Sequence, residues 1–263
     1  MKARILVVAG SDSGAGAGIQ ADIKTIAALG AYATTAITAL TAQNTVAVLG
    51  ICPIAPEFVQ LQLRAVLSDI GADAVKTGML ASARAIDAVA DTLEAEAPSL
   101  PLVVDPVMVA SSGARLLDAD AIEALTTRLI ARARVVTPNV PEAEILCQHG
   151  ISSLDDMRRA ADRLLSQGAE AVVLKGGHLA GPVTRDLIAS ADGSFVLEAP
   201  RRATRSTHGT GCTLASAIAA GLAQGMALRP AVERAHRYVQ RALAAAPGLG
   251  RGNGPLEHSV STD

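Results

Sequence analysis

Tryptophan is missing from this 263-residue chain, and two tyrosines and two phenylalanines leave aromatics at 2% of the sequence. That scarcity removes the stacking platforms on which single-stranded nucleic acids bind. It also forces a core of Ala, Val, Leu and Ile. The three cysteines, Cys52, Cys147 and Cys212, are too few and too scattered for a disulfide framework or a zinc site. Net charge is only −2, with no basic block of the kind that meets nucleic acid. No apolar run reaches the ~20 residues that a bilayer span requires. The basic start, MKARILVVAGSD (Met1–Asp12), carries a short apolar run that leads into Asp and Gly, as a buried first strand does and a leader peptide does not. These absences lead us to expect a cytoplasmic protein with no nucleic-acid and no membrane partner.

What is present is an alternation. Half of the residues are hydrophobic, and the length suffices for a substantial core in one domain spanning 1–263. Short β-branched runs at Arg4–Gly10, Asp73–Gly78, Leu102–Val107, Arg134–Asn139 and Ala171–Gly177 predict buried strands, and the TTAITALTAQN segment another. Helical spacing falls between them, at Ala17–Leu29, Pro56–Ile70, Ala83–Glu96, Ala119–Ala131 and Leu154–Gln167. The last has Ser153 placed as N-cap, Asp156 in the first turn and Gly168 as its stop. Strand–helix alternation predicts an α/β fold whose mainly parallel central sheet is covered on both faces. After Gly177 the rhythm changes: TRDLIAS and GSFVLEAP, joined through ADG, predict a small hairpin. Helices at Gly209–Gln224 and Pro230–Ala246 follow, and the tail from Gly248 reads as loop.

Polar residues gather where the apolar strands end. Ser11-Asp12-Ser13, Gln43-Asn44, Lys76-Thr77-Gly78, Asp105-Pro106, Thr137-Pro138-Asn139 and Lys175-Gly176-Gly177-His178 each close such a run. In open α/β sheets that rim is where ligands bind. GSDSGAGAGIQAD follows a strand and opens a helix, but its glycines stand at 14, 16 and 18. G-x-G-x-x-G is therefore absent, and Gln43 and Asn44 occupy the place of the acidic ribose ligand, which argues against a dinucleotide. No G-x-x-x-x-G-K-[ST] occurs either.

The stretch HGTGCTLASAIAAGLAQG places glycines 209 and 211 at the entrance to a small-residue helix. Amides unpaired at a helix start, with a dipole end of about +0.5 charge, invite an anion. In phosphoryl transfer, catalysis is mostly positioning and charge stabilisation. A thiol in that field, Cys212, is expected below its ordinary pKa of about 8.5, able to take a proton from an attacking hydroxyl. On these local grounds two readings stay open: an anion cradle with a reactive thiol, or an ordinary glycine turn with a buried cysteine. Bland readings stand beside other residues too. Asp22 falls on a predicted helix and could be surface, Lys76 could pair with Asp73 or a neighbour, and His208 could pack in its turn. His178 could cap a strand end or join a flap, and Cys52 and Cys147 read as small core residues.

This same stretch resembles the anion-hole segment of the hydroxymethylpyrimidine/phosphomethylpyrimidine kinases of thiamine synthesis, within the ribokinase-like superfamily. AGSDSGAGAGIQADIKTIAALGAYATTAITALTAQNT, DIGADAVKTGML, VVDPVMVASSG, TPNVPEAEIL and LKGGHL are similar to the family's other segments, in order, over nearly the whole chain. The resemblance implies a ribokinase-like three-layer fold and an enzyme that uses ATP and Mg²⁺. Its substrates would be 4-amino-5-hydroxymethyl-2-methylpyrimidine and then the monophosphate. Cys212 would be the catalytic base, where sugar-kinase relatives place an aspartate, and Gly209, Thr210 and Gly211 would donate amides to the moving phosphate. Asp105 and Glu142 would sit near Mg²⁺, Asn139 would orient phosphates, and Lys175 would neutralise the nucleotide. Gln43 would hydrogen-bond the pyrimidine, with Gly10, Asp22 and Met79 lining its pocket and Val107 packing on the ring. A homodimer is implied as well. Where the family more often has Gly-Gly after serine or glycine, this chain reads Gly14-Ala15-Gly16, so Ala15 argues against a left-handed backbone there. A pyridoxal kinase of the same fold is the nearest alternative, and a non-catalytic pyrimidine or nucleotide sensor the alternative from another class.

Overall fold

The computed structural model describes residues 2–110, 113–114, 116–118 and 120–261. The described strands form one sheet of nine in the order β3-β2-β1-β4-β5-β6-β7-β8-β9. Its parallel centre consists of β2 (Tyr32–Gln43), β1 (Arg4–Asp12), β4 (Ala74–Thr77), β5 (Leu102–Val104), β6 (Val135–Val136) and β7 (Ala171–Leu174). Antiparallel strands flank it: β3 (Val48–Pro53) on one edge and the hairpin β8 (Val183–Ser190) and β9 (Gly193–Pro200) on the other. The central runs are buried on both sides, which is why they read as continuous apolar stretches.

Helices cover both faces. Leu6, Val8, Val75, Val104 and Val172 point into the layer of α2 (Pro56–Leu67), α3 (Ala83–Glu96), α4 (Ala121–Ala124), α5 (Val140–Cys147) and α6 (Leu154–Ser166). Ile5, Val7, Val103, Val135 and Val173 meet α1 (Gly18–Ala28), α7 (Thr210–Ala223) and α8 (Leu228–Ala244). Alternate residues of one strand thus serve opposite layers. The alanine-rich face of α7, with Ala215, Ala217, Ala219 and Ala220 all fully buried, lets that helix lie close on the sheet.

Several expected elements differ in detail. Strands β4 to β7 are shorter than their apolar runs, because the last residues leave the ladder to form the rim; Pro106 and Pro138, lacking N–H groups, enforce the exit at β5 and β6. Ala119, the expected start of the fourth helix, lies outside the described residues, as do Ser111 and Ser112 of VVDPVMVASSG. That helix is not uniform: α4 widens into a π-helical stretch over Leu125–Leu129 and ends in a 3₁₀ turn over Ile130–Arg132. Thr126 and Thr127 donate their hydroxyls back to the carbonyls of Ile122 (2.9 Å) and Glu123 (2.8 Å) across this region. Strand β3 has no counterpart among the expected elements. It is an exposed edge, with Leu49 74% exposed, and it carries Cys52 into solvent, which corrects the expectation of a core residue; Cys147 is buried.

The tail after α8 forms no long element, yet it is not loose. Gly254, Leu256 and His258 are buried in alternation. The His208 amide donates to the Gly254 carbonyl (3.1 Å), the Tyr238 hydroxyl donates to that of His258 (2.7 Å), and His258 Nε2 lies 3.0 Å from Thr213 Oγ1. The tail therefore floors the loop that leads into α7.

Helix α6 begins as its sequence predicts. Ser153 Oγ accepts the Asp156 amide (3.1 Å), and Asp156 Oδ2 accepts the Ser153 amide (2.9 Å), a reciprocal capping box. Ser153→Ala should cost about 1 kcal/mol and lower Tm by about 2–4 °C; a thermal melt unchanged from wild type would show the cap to be energetically silent.

Candidate active site

Strand order reverses between β1 and β4, and the cavity opens over their C-terminal ends, at the switch point of the sheet. It measures about 690 Å³, the size of a small-molecule site. Gly10 and Gln43 line it from β1 and β2, and Met79 and Val107 from the segments after β4 and β5. Asp105, Asn139, Glu142 and Lys175 line it further along the rim, and Gly209, Thr210, Gly211 and Cys212 close it from the start of α7. A register shift between Ala9 and Ser11 in the β1–β2 ladder turns Gly10 out of the regular strand. A Cβ there would stand 3.0 Å from Met79 Sδ, so a side chain would crowd this wall.

Asp22 is the exception. It does not line the cavity but lies beneath it, fully buried, which corrects both the pocket-wall expectation and the surface reading. Lys76 Nζ is 3.0 Å from each Asp22 oxygen, and Ser216 of α7 donates its hydroxyl to Asp22 Oδ1 (2.6 Å). Burial works against the Lys76 ammonium, but the Asp22 carboxylate, together with Cys212 and Asp105, outweighs it and holds the group above its ordinary range. Asp73 is not Lys76's partner; it pairs with Arg4 at 2.7 Å. Lys76 and Asp22 stand at opposite ends of no local motif, so only topology brings β4, α1 and α7 together around them.

The start of α7 forms a cradle. Gly209, with φ +84, is the N-cap. A Cβ on it would fall 1.8 Å from the Gly16 carbonyl oxygen, so two glycine backbones touch here as no other residues could. No side chain caps this helix start, whose first amides have no carbonyl four residues back within the helix. Lys175 Nζ lies 2.9 Å from where a Cβ of Gly211 would sit. An ammonium and a helix N-terminus therefore face the same point of the cavity.

Around Lys175 stand two carboxylates. Its Nζ is 3.0 Å from Asp105 Oδ1 and 4.0 Å from Glu142 Oε2. Thr137 Oγ1 also donates to Asp105 Oδ1 (3.0 Å). Asn139 and Glu142 form the capping box of α5: Asn139 Oδ1 accepts the Glu142 amide (2.9 Å), and Glu142 Oε2 accepts the Asn139 amide (2.8 Å). Burial pushes Glu142 up to about 7, against the pull of Lys175 and with Asp105 adding to the rise. Among the described residues no three His, Cys, Asp or Glu side chains converge as a metal cluster. Two carboxylates with oxygen donors do fit a hard cation that keeps several waters and takes its other ligands from phosphate.

Cys212 corrects a second expectation. It is half-buried and faces the cavity. Burial pushes its thiol up to about 12; Lys76 pulls down, Asp22 and Asp105 push up, and the Gly18 amide aimed at the sulfur favours the anion. A helix terminus is worth about 0.3–1 kcal/mol, under one pKa unit, whereas burial can shift a group by several. Desolvation wins in the ligand-free protein.

Asp12, which the sequence placed on the rim, and His208, which it read as a donor to phosphate or a turn residue, both line the cavity, as do Asp186 and His236, which it did not raise. Asp12 Oδ1 accepts the amide of Gly14 (2.7 Å), and its Oδ2 accepts those of Gly16 (3.0 Å) and Ala17 (2.9 Å). An aspartate ahead of glycines is the readable signal for such a turn. The same loop holds Ala15 at φ +58, so the left-handed turn survives its Cβ, contrary to expectation. Asp186 accepts the Gly176 amide (3.0 Å) and lies 3.9 Å from His236 of α8; no local pattern announces that pair. Arg201 holds the segment after β7, where His178 also faces the cavity, by donating to the carbonyls of Gly177 (2.8 Å), Gly181 (2.7 Å) and Leu179.

Two measurements follow. Asp22→Asn leaves a buried ammonium without its counter-charge and should cost about 3–5 kcal/mol in denaturant unfolding; a loss below about 1 kcal/mol would mean that water reaches Lys76. Because its thiol is protonated near neutrality, Cys212 of the ligand-free protein should alkylate far more slowly than exposed Cys52 near pH 7, with a rate still climbing near pH 10. Peptide mapping that finds Cys212 modified first would reverse the direction of that shift.

Comparison with known proteins places the chain. A family model described as phosphomethylpyrimidine kinase matches residues 12–257. Hydroxymethylpyrimidine/phosphomethylpyrimidine kinase of Streptomyces coelicolor is 47% identical over 254 residues, covering 97% of this chain and 93% of that protein. Thiamine biosynthesis bifunctional protein ThiED of Geobacter sulfurreducens is 51% identical over 98% of this chain, which spans about half (53%) of that longer protein. The crystal structure of phosphomethylpyrimidine kinase from Clostridium difficile 630 is similar with a TM-score of 0.82 at 40% identity, covering 92% of this chain and 99% of that one. Pyridoxal kinase from Staphylococcus aureus in complex with pyridoxal gives a TM-score of 0.91 at 34% identity, over 98% and 94%. With its sheet, its helix-start cradle and this match over most of its length, the chain belongs to the phosphomethylpyrimidine kinase family, within the ribokinase-like vitamin kinases.

Proposed function

We propose that the chain acts as one kinase domain, transferring a phosphoryl group from ATP to 4-amino-5-hydroxymethyl-2-methylpyrimidine and then to its monophosphate. The observation that carries this reading is the helix start at Gly211 and Cys212, uncapped by any side chain and beside the Lys175 ammonium. A transferring phosphoryl group spreads charge over three oxygens and needs donors already in place rather than covalent chemistry. The Gly211 and Cys212 amides supply those donors on the turn set by Gly209; the Thr210 amide, expected among them, is already taken by the Thr207 carbonyl (3.3 Å), and Lys175 meets the nucleotide's charge. Asn139, locked by its capping box and bridged to Lys175 on the neighbouring strand end, orients the phosphates. Asp105 and Glu142 would hold Mg²⁺, which when bound offsets negative charge on the donor phosphates.

Cys212 takes the proton of the acceptor hydroxyl. Its thiol starts protonated, so it must first release its own proton to solvent, which the half-buried sulfur reaches, before it can accept another; Lys76 below it and the Gly18 amide are the groups that favour the anion. In a loose transition state the attacking oxygen loses its proton late, so a base of this kind suffices. Gln43, Gly10, Met79 and Val107 form the ring pocket, an aliphatic and thioether surface in a chain nearly without aromatics. Asp22 supports that pocket from beneath. A cytoplasmic homodimer completes the proposal on the strength of the family resemblance and the composition; among the described residues no helix is long and apolar enough to cross a membrane.

A pyridoxal kinase is the second reading, favoured by the likeness of the whole backbone to that of the Staphylococcus enzyme. Backbones of one fold carry several substrates, and Gln43 inclines the choice to the aminopyrimidine, because a carboxamide N–H can donate to a ring nitrogen while a lone pair of its oxygen remains for the neighbouring amino group. Incubation with ATP, Mg²⁺ and the hydroxymethylpyrimidine should yield mono- and diphosphate, and pyridoxal turning over much faster would reverse the assignment. Cys212→Ala should lower kcat by about 10²–10⁴-fold while ADP affinity stays near wild type; near-normal turnover would remove Cys212 from the proton transfer.

A further inference from the structure

His208 touches both halves of the cavity. Its Nε2 lies 2.8 Å from Asp12 Oδ2 and 3.1 Å from Nε2 of the Gln43 carboxamide, and all three residues line the site. One covalent bond joins His208 to Gly209 of the phosphate cradle. Its ring packs on Gly16, where an added Cβ would stand 2.5 Å from Cδ2.

The hydrogen on that ring nitrogen is fixed by its neighbour. Asp12 already gathers the amides of Gly14, Gly16 and Ala17. Although burial works the other way, His208 and those amides hold its carboxyl below the ordinary range. It is an anion, and an anion 2.8 Å from an imidazole nitrogen requires N–H there rather than a lone pair. The Gln43 atom 3.1 Å from the same nitrogen must then be an acceptor. The two ends of a carboxamide have the same shape, and their hydrogen-bond partners decide which is which. With Oε1 toward His208, the NH₂ group turns toward Thr41 Oγ1, 3.4 Å from the other terminal atom. That hydroxyl donates to the Ser11 carbonyl (2.9 Å) and keeps a lone pair for the amide. The Gln43 backbone is pinned as well: its amide donates to Ser13 Oγ (2.8 Å), and its carbonyl accepts from the same hydroxyl group (2.8 Å).

We propose that His208 is a positioning residue, which through Asp12 fixes the polarity of the Gln43 carboxamide so that one N–H is left for the cavity. The site then selects a ring that presents a lone pair at that place, a heteroaromatic nitrogen, over one that presents a donor. This rests on the pyrimidine-kinase reading for the identity of the ring, but not for the orientation of the amide.

The orientation is tested directly by ¹⁵N NMR of His208 in the intact protein. We expect the proton on Nε2 throughout the neutral range; a neutral ring protonated on Nδ1 alone overturns the proposal. The consequence is tested with His208→Gln, whose amide can reproduce the donor, and His208→Leu, which cannot. Calorimetric affinity for the pyrimidine alcohol without nucleotide, and the ratio of kcat/KM for it over pyridoxal, should each fall about tenfold in the Leu variant. The Gln variant should restore most of the loss, and ADP affinity should hold in both. Thr41→Val, which removes the amide's acceptor at a partly exposed position, should move the same ratio in the same direction, and serves if the Leu variant does not fold. A folded Leu variant that discriminates as wild type does overturns the proposal. A wild-type protein that leaves the pyrimidine unphosphorylated overturns the kinase reading instead, and the NMR result still decides the role of His208.

Discussion

Two glycines in contact, Gly16 after β1 and Gly209 before α7, govern the geometry of the site. No side chain fits between the two loops: a Cβ on Gly209 would fall inside the Gly16 carbonyl. That contact brings the loop of the ring pocket against the helix start that cradles phosphate. Asp12 locks it from one side by gathering three amides and the His208 ring. The distance between recognition and chemistry is therefore set by backbone against backbone, the least adjustable contact a chain can make.

Electrostatics in the layer below follows from that arrangement. Lys76 and Asp22 are fully buried below the cavity, and Asp105 and Glu142 are nearly so along its rim beside Lys175. Each would be costly alone. Paired, they cost less, and none is free to leave: Lys76 is bound by both Asp22 oxygens, and Asp105 by Lys175 and Thr137. Such clusters seldom add stability over an apolar core. What they supply here is a fixed potential under the helix start, which no solvent rearrangement has to build during the reaction.

Much of this was legible in the sequence because it is written in local patterns. Apolar runs, turn residues and the Ser153 cap are short-range signals, and the structure follows them in β1, β7, the hairpin and α6. The rim was readable because polar residues that close apolar strands have one place to go. What escaped depends on distance in sequence or on solvent. Strand β3 is exposed and interrupted by Gly50, so it carries no burial pattern. Helix α5 was not expected, although its Asn139-x-x-Glu142 cap with a proline between is a local signal; at eight residues it is too short to show a helical period. The Lys76–Asp22 pair spans 54 positions and Asp12–His208 spans 196; neither separation leaves a trace in local spacing. The thiol of Cys212 was misjudged for a related reason: its helix is visible in the sequence, and its desolvation is not.

The tail beneath α7 has a consequence in time. Ribosomes deliver a chain from its first residue, so the sheet through β9 and the body of α7 can assemble while residues 254–258 are still in the exit tunnel. The turn ahead of α7 gains its floor only when Gly254 and His258 emerge to meet His208, Thr213 and Tyr238. A chain elongated through α7 but not yet through these residues has the architecture without the floor beneath its cradle.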